Sequence, residues 1–424
     1  THILRNFTHT HTHTHSNTSG TDTEELESGN TGSIVTLAGI PDAHVTDTLI
    51  LKQEEDDEEI AVPIDTPPID PATVAMTFAS NSSPMAGRDG TSSHSAGFSN
   101  ATNHTRTHLY TGTKLNSSQL DARLKSETLN NVSINVLPGS VDGTFEVRGR
   151  GDLQLGVLIE SLRREGFELE ISPPRVLDRK TDENNKREEP YELLQIDVEE
   201  EHCGVVMEKL NARKGQMMDM STTDDGRTRL EYVIPARALL GYRVAFQHDT
   251  HGSGVMNKTF HKWDVHAGEI PHVRTWEERS FEMNTYDTNS RYTDPTGTKG
   301  ALISTVSGKS TAYTLSSLEA RGHLFVKPAQ ELYEGMIIGE HSRDNDLAVN
   351  PCKGKQLTNM RTSGSDDAVT LTPPRVFTLE EALGYLKPDE LLEVTPDTFR
   401  MRKVVLNADE RARLSRNRKG RGGR

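Results

Sequence analysis

One glycine-containing segment, from Pro351 to Gly364, groups side chains that can contact a nucleic-acid backbone. It contains Lys353, Lys355, Asn359 and Arg361. Ammonium groups, a guanidinium and backbone amides all bind phosphate oxygens, and looped RNA is commonly recognised by such combinations. We therefore predict an RNA-binding loop here. The alternative is an ordinary surface loop without a specific partner.

The C-terminal residues are rich in cations, whereas the chain as a whole is acidic. The formal net charge of the 424 residues is -15, and an acidic run spans residues 54–59. Bulk charge therefore does not draw the whole chain to nucleic acid. Arg400 and Arg402 occupy alternate positions of a predicted late strand and share one face, with Lys403 beside them. We add these three residues to the candidate RNA-binding set. The basic residues 411–424 indicate an RNA- or phosphate-facing terminus, with a solvated tail as the alternative.

No string in the sequence fits a nucleotide-binding loop. Such a loop has the form Gly-x-x-x-x-Gly-Lys-Ser/Thr and connects a strand to a helix. The nearest string runs from Ser307 to Ser310, and Ile303 stands where the first glycine is required. We therefore predict no nucleotide-binding residue and no catalytic residue in these 424 residues.

Two histidine-containing segments could bind a metal, but other interpretations are favoured. The alternating tract of residues 9–15 lies in a low-complexity segment typical of disorder. His202 follows three glutamates and precedes Cys203, a spacing that does not place ligands on one face of an element. The two cysteines, Cys203 and Cys352, form neither a zinc spacing nor a disulfide framework. We predict no metal site.

The stretch from Gly149 to Pro174 contains the elements most clearly encoded in the sequence. Its first half repeats apolar residues at helical spacing from Asp152, and Gly166 ends the helix. Its second half alternates apolar residues with glutamates, the pattern of a half-buried strand. With the elements predicted upstream, the order is βαββαβ, a ferredoxin-like unit. The same order repeats from residue 194 to residue 260.

As strings, these segments resemble the elongation factor G-like translational GTPases, and in particular their BipA/TypA family. The stretch 149–174 resembles the third domain of those proteins, and residues 213–215 and 225–235 resemble the fifth. Residues 333–339, 340–347 and 355–364 resemble the C-terminal domain that distinguishes BipA/TypA proteins. The fold class that follows is α+β. It comprises two ferredoxin-like domains, the remnant of a β-barrel, and a mixed, mostly β C-terminal domain.

The resemblance implies a division of the chain into seven segments. Residues 1–32 are expected to be a disordered leader, 33–66 the end of β-barrel domain II with an acidic linker, 67–180 domain III with an insertion at 88–114, 181–266 domain V, 267–299 a second insertion, 300–410 the BipA/TypA-specific C-terminal domain, and 411–424 a basic tail. The GTPase domain of the family is not among these segments. Natural loss and truncation both stay open as explanations.

The function implied by the resemblance is that of the ribosome-binding portion of a BipA/TypA-like translational GTPase, contacting rRNA and the acceptor end of tRNA. The complete family member would hydrolyse GTP with Mg²⁺ on the ribosome and act in ribosome assembly and stress adaptation. This chain alone is expected to use no cofactor and to lack GTPase activity. The alternative is a stand-alone RNA- or ribosome-binding regulator without GTPase activity.

A monomer associated with ribosomes in the cytoplasm is expected, and a chloroplast or mitochondrial location stays open. No apolar run approaches the roughly 18 residues that a membrane span needs, so no membrane partner is expected.

Overall fold

The computed structural model describes residues 4–7, 15–19, 22–26, 32, 47–51, 64, 70–88, 115–180, 186–222, 226–268, 270, 299–354 and 370–421. The chain divides into two compact units, residues 1–69 and 70–424. In the first unit, β1 (Leu4–Phe7) pairs in parallel with β4 (Thr48–Leu51), and β2 (His15–Ser19) pairs antiparallel with β3 (Asp22–Leu26). The segment expected to be a disordered leader therefore contains three strands. The residues 33–40 predict a further short strand, and they lie outside the described residues.

The first sheet module spans residues 70–178 and has the predicted βαββαβ order. Its elements are β5 (Val74–Ser80), α1 (Ser117–Asn130), β6 (Asn135–Pro138), β7 (Thr144–Gly149), α2 (Asp152–Arg164) and β8 (Leu169–Ile171), followed by the short β9 (Arg175–Val176). The four main strands lie in the order β8-β5-β7-β6, and each neighbouring pair is antiparallel. Gly166 has a φ of 88° and follows the end of α2, as predicted.

The second sheet module spans residues 179–268 and repeats this arrangement. Its elements are β10 (Arg179–Lys180), β11 (Arg187–Glu199), α3 (Glu200–Ala212), β12 (Gln216–Thr222), β13 (Arg227–Pro235), α4 (Ala236–Leu239), α5 (Tyr242–Asp249) and β14 (Val255–Val265). The main strands lie in the order β14-β11-β13-β12. The sequence from Ala236 to Tyr242, with Pro235 suited to the first helical position, predicts one short helix. The structure has two helices instead, because Gly241 between them adopts a φ of 69° that interrupts the helical backbone.

The C-terminal module spans residues 299–421. Its elements are β15 (Ala301–Ser304), β16 (Gly308–Lys309), α6 (Ala312–Glu319), β17 (Gly322–Leu324), β18 (Glu331–Leu332), β19 (Ile337–His341), β20 (Leu347–Val349), α7 (Leu379–Tyr385), β21 (Glu390–Val394), β22 (Phe399–Lys403) and α8 (Ala408–Arg421). Four of its strands form a sheet in the order β17-β19-β15-β20. The spacing of Thr378 and Glu381 predicts a capping box, and this box begins α7.

The hairpin β21–β22 does not belong to that four-stranded sheet. It extends the sheet of the first module, with β21 antiparallel to β8 and Leu392 opposite Ile171. A seven-stranded sheet therefore contains residues from both modules. The apolar core beneath it is also shared, and joins Phe78 and Leu155 to Leu392 and Met401.

The second sheet module encloses its own core, which includes Leu194, Val206 and Tyr232. A third core lies largely within the C-terminal module. The α+β class predicted from the sequence is confirmed, and the strands that the structure describes form open sheets rather than a closed barrel. Among the same residues, no helix combines the length and apolar character that crossing a membrane requires.

Candidate nucleic-acid interface

The predicted RNA-binding loop begins on a fixed piece of backbone. The carbonyl oxygen of Lys353 accepts hydrogen bonds from the hydroxyls of Thr311, at 2.7 Å, and Thr314. Thr311 is also the residue that caps α6. These bonds hold the backbone of Lys353 against the helix, while the residue itself is exposed. The other three predicted residues, Lys355, Asn359 and Arg361, lie outside the described residues.

Further exposed cations lie near the base of this loop. Lys309 on β16 is exposed, and the same strand lies against the loop base, since a Cβ built on Gly308 would be 3.3 Å from the sulfur of Cys352. We call the set of exposed cations Lys309, Lys353, Arg413 and Arg416 the basic edge.

Helix α8 begins close to β16. The amide of Ala408 donates to the Glu334 carboxylate at 3.0 Å, and the amide of Glu334 donates to Ser307 Oγ at 3.3 Å. Arg413 and Arg416 are exposed on α8 and are three positions apart, so they share one helix face. The basic edge therefore combines cations from a strand, a loop base and a helix.

The structure places the other three predicted cations inside the protein. Arg400, Arg402 and Lys403 are 7%, 3% and 1% exposed. Arg400 pairs with Glu393 at 2.7 Å and Arg402 pairs with Glu170 at 2.6 Å. The two arginines do share a face, as predicted, but that face packs on residues 81–83 of the first sheet module.

Lys403 is enclosed by three carboxylates. Its ammonium lies 2.6 Å from Asp346, 2.8 Å from Asp389 and 3.0 Å from Glu390. Burial alone would lower the pKa of Lys403, but the carboxylates outweigh burial and hold the pKa above its ordinary value. Ion pairs within the chain therefore occupy all three cations, and we do not include them in the interface.

Glu393 is the centre of the buried network that joins the hairpin to the first sheet module. Its fully buried carboxylate accepts hydrogen bonds from Asn81, Ser83, Tyr333 and Arg400, at 2.7 to 2.9 Å. Burial would raise the pKa of Glu393, but the guanidinium and the neutral donors outweigh it and lower the pKa. Since charged and polar groups are paired, the network can remain buried.

Glu168 is a residue whose burial the sequence pattern did not predict. It alternates with apolar residues in a strand predicted to be half-buried, yet it is 0% exposed. Its carboxylate accepts from Asn81 Nδ2 and from the amide of Gly87, both at 3.0 Å. The only sequence feature that indicated a buried carboxylate is the string Asn81-Ser82-Ser83, because amide and hydroxyl groups can donate hydrogen bonds to such a carboxylate.

Comparisons with known proteins agree with this architecture. The family model described as "Elongation factor G C-terminus" matches residues 186–274, and "TypA/BipA C-terminal domain" matches residues 299–408. A protein named "Large ribosomal subunit assembly factor BipA" from Bacillus subtilis is 37% identical over 404 residues, which is 95% of this chain and 57% of that protein. The chain belongs to the BipA/TypA family.

Proteins of the same name from other bacteria agree. That of Escherichia coli K12 is 39% identical over 398 residues, covering 94% of this chain and 57% of the relative. That of Haemophilus influenzae is 38% identical over 398 residues, covering 94% and 56%. This member of the BipA/TypA family therefore spans little more than half the length of the curated relatives it matches.

In this BipA/TypA chain the string nearest to a nucleotide-binding loop, from Ser307 to Ser310, contains a short strand instead of a phosphate-binding loop. Gly308 and Lys309 form β16, which pairs with β18, and the hydroxyl of Ser310 donates to the carbonyl of Lys327 at 2.7 Å. Ser310 is buried, so its hydroxyl is not presented to a ligand.

The acidic segment before α3 is more compact than its spacing suggested. Ligating atoms of Glu199, Glu201 and His202 lie within 4.8 Å of one another. The spacing of these residues predicts ligands that do not share one face, and the structure differs there. The cluster lies at the N-terminus of α3, where the helix dipole opposes a bound cation, and we assign no metal to it.

Proposed function

We propose that these residues form the ribosome-binding part of a BipA/TypA-family protein and that the loop after Pro351 contacts RNA of the large ribosomal subunit. The names of the curated relatives support the choice of partner. The observation that supports this loop as the RNA contact is that Lys353 is exposed while its backbone is hydrogen-bonded to Thr311. A fixed loop base limits the ordering entropy that binding must overcome.

The basic edge supports the same assignment. Lys309, Arg413 and Arg416 are further exposed cations of the same module, and several separated cations suit a phosphate backbone. Contact with the acceptor end of tRNA, through Lys355, Asn359 and Arg361, is the finer part of this proposal. The compartment is that of the ribosomes to which the protein binds.

We further propose that these 424 residues do not hydrolyse GTP. Phosphoryl transfer needs a phosphate-binding loop and a metal site. The printed sequence contains no Gly-x-x-x-x-Gly-Lys-Ser/Thr string, and the nearest candidate is strand β16. Purified chain should release phosphate from GTP no faster than buffer, and turnover above that level would refute this point.

Co-sedimentation with large ribosomal subunits across a salt series tests the RNA contact. The chain should pellet with the subunits, and changing Lys353, Lys355 and Arg361 together to Ala should weaken pelleting. The logarithmic salt slope should fall by about two to three, roughly one unit per cation removed.

A matched control changes three exposed cations elsewhere, Lys125, Arg164 and Lys262, to Ala. Their side chains are 71%, 74% and 51% exposed, so the net charge changes equally without unfolding the protein. The proposal requires this control to pellet like the unmodified chain. Equal behaviour of the two triple variants would refute the assignment to the loop.

A further inference from the structure

A cavity of about 370 Å³ lies where the three modules of residues 70–424 meet. Its walls come from α2 of the first sheet module, Gly241 of the second, and α7 of the C-terminal module. Pockets of roughly 300 to 1,000 Å³ are typical of small-molecule sites, especially between domains.

Glycines create the space in this cavity. A Cβ added to Gly156 in α2 would meet nothing within 4 Å, so the cavity lies open beside the helix. A Cβ on Gly384 would lie 2.9 Å from the Cα of Gly241, so these two glycines let α7 and the second sheet module approach closely. The walls are apolar, and Leu153 and Val157 on α2 are each 60% exposed although both are large aliphatic residues.

The charged residues around the cavity are mostly acidic. Asp152, Glu160 and Glu380 line it, against one cation, Arg164. Asp152 already pairs with Lys258 at 3.0 Å. Glu160 lies 2.8 Å from Arg163 and also 2.8 Å from Arg164.

Glu380 has the longest of these ion pairs, 3.6 Å to Arg243. The pKa of Glu380 is raised chiefly by burial, which the cations Arg243 and Lys258 offset only in part, and the charge of Asp152 raises it further. The Glu380 side chain is still 43% exposed, so a ligand cation can reach its carboxylate from the cavity.

We propose that this cavity binds a small molecule with an apolar ring or chain and a primary ammonium group, with the ammonium against Glu380. The apolar walls would enclose the hydrocarbon part, and the acidic rim would select the cation over a neutral or anionic analogue. Because the cavity has walls from three modules, the bound molecule would also hold those modules together.

Phenylbutylamine, phenylbutanol and phenylbutyrate test this proposal, since they share one hydrocarbon skeleton and differ in charge. Calorimetric titration of the full chain should give tightest binding for the amine, about tenfold above the alcohol, because of the charge-assisted hydrogen bond. In Glu380→Gln the amine should lose that preference and bind like the alcohol. Similar binding of amine and alcohol to the unmodified chain, or no binding of any of the three, would overturn the proposal.

Filling the cavity provides an independent test. Gly156→Leu should abolish binding of both amine and alcohol without loss of fold, since the backbone is helical and the new side chain has room. Gly204→Leu on α3 is the matched control, because a Cβ there also meets nothing within 4 Å but the residue does not line the cavity. Thermal melts of both variants separate blocked binding from unfolding. Binding retained by Gly156→Leu, or lost equally in Gly204→Leu, would show that the molecule binds elsewhere.

Discussion

The two sheet modules share one order of main strands but differ beside the strand that follows their last helix. In the first module that strand, β8, has three residues and pairs with β5 on one side and with β21 of the C-terminal module on the other. In the second module the last strand, β14, has eleven residues and pairs with β11 within the module. The hairpin thus completes the outer edge of β8 and covers backbone groups that would otherwise be exposed.

The two modules also differ in how they contain buried charge. The sheet of the first module borders on opposite charges in contact, centred on Glu393 and Arg400 of the hairpin β21–β22. The second contains Arg213, which is 1% exposed, lies 5.0 Å from the centre of the Tyr242 ring and donates to the carbonyl of Ala238. Burial lowers the pKa of Arg213 to about 10. Opposite charges join separate segments, whereas the arginine and ring fill the interior of one module.

The largest expected effect comes from removing Arg400, and removal of Arg213 is the comparison. Arg400→Met leaves the buried carboxylate of Glu393 without its cation, which should cost about 3–5 kcal/mol. Arg213→Met should cost less, about 1–2 kcal/mol, since Asp249 keeps its pair with Lys209. Native-state hydrogen exchange in β5 and β13 measures the two losses separately. A greater loss in Arg213→Met would reverse the contrast between the modules.

Core substitutions test whether the hairpin unfolds with the first module. Leu392→Ala should cost about 2–5 kcal/mol and lower exchange protection in β5, β8 and β21 together. Leu230→Ala should cost a similar amount but affect only β11, β12 and β13. If Leu392→Ala left β5 and β8 fully protected, the seven-stranded sheet would not be one cooperative unit.

Acidification should destabilise the folded protein through Glu393 and stabilise it through Glu192. The pKa of Glu393 is lowered in the folded protein, so its stabilisation is present above about 4.5 and is lost as pH falls through the folded value. The pKa of Glu192 is raised by burial, which the nearby Lys258 offsets only in part, so its contribution is present below about 4.5 and is lost as pH rises through the folded value.

Variants in which each carboxyl becomes an amide check these signs. At pH 7, Glu393→Gln should be less stable than the unmodified chain, and the difference should shrink toward about pH 4. Glu192→Gln should be as stable or more stable at pH 7, and any advantage should also shrink on acidification. These effects should be smaller than those of the core substitutions. Parallel pH profiles for the two variants would contradict the assignment.

The smallest expected effect concerns two glycines within helices, Gly156 in α2 and Gly204 in α3. Gly156→Ala and Gly204→Ala should each stabilise the protein by about 0.5–1 kcal/mol, since alanine is the better helix former. Both positions have free space for a Cβ. A thermal melt of each variant provides the measurement, and a gain at only one position would mean that the two helices differ in packing.

Local sequence patterns predicted much of this fold because the elements depend on neighbouring residues. The alternation of Leu230, Tyr232 and Ile234 predicted β13, and all three are buried. The capping box of Thr378 and Glu381 marked the start of α7. The resemblance of several strings to BipA/TypA proteins added the order of the modules.

Long-range partners could not be predicted in the same way. Alternation placed Arg400 and Arg402 on one face, but only the fold shows that Glu170 and Glu393 occupy the space in front of them. Likewise, Glu168 is buried because Asn81 and its neighbours cover that face of β8. The register of a strand predicts which residues share a face, but not which remote segment covers the face.

The most direct test of the central claim is cross-linking from the base of the loop to ribosomal RNA. A benzoylphenylalanine at position 353 should cross-link to RNA when the chain is mixed with large ribosomal subunits and irradiated. The same group at position 129, where Leu129 is 84% exposed in the first sheet module, is the control. The account predicts RNA adducts from position 353 well above those from position 129. Equal yields, or adducts from position 129 alone, would contradict it.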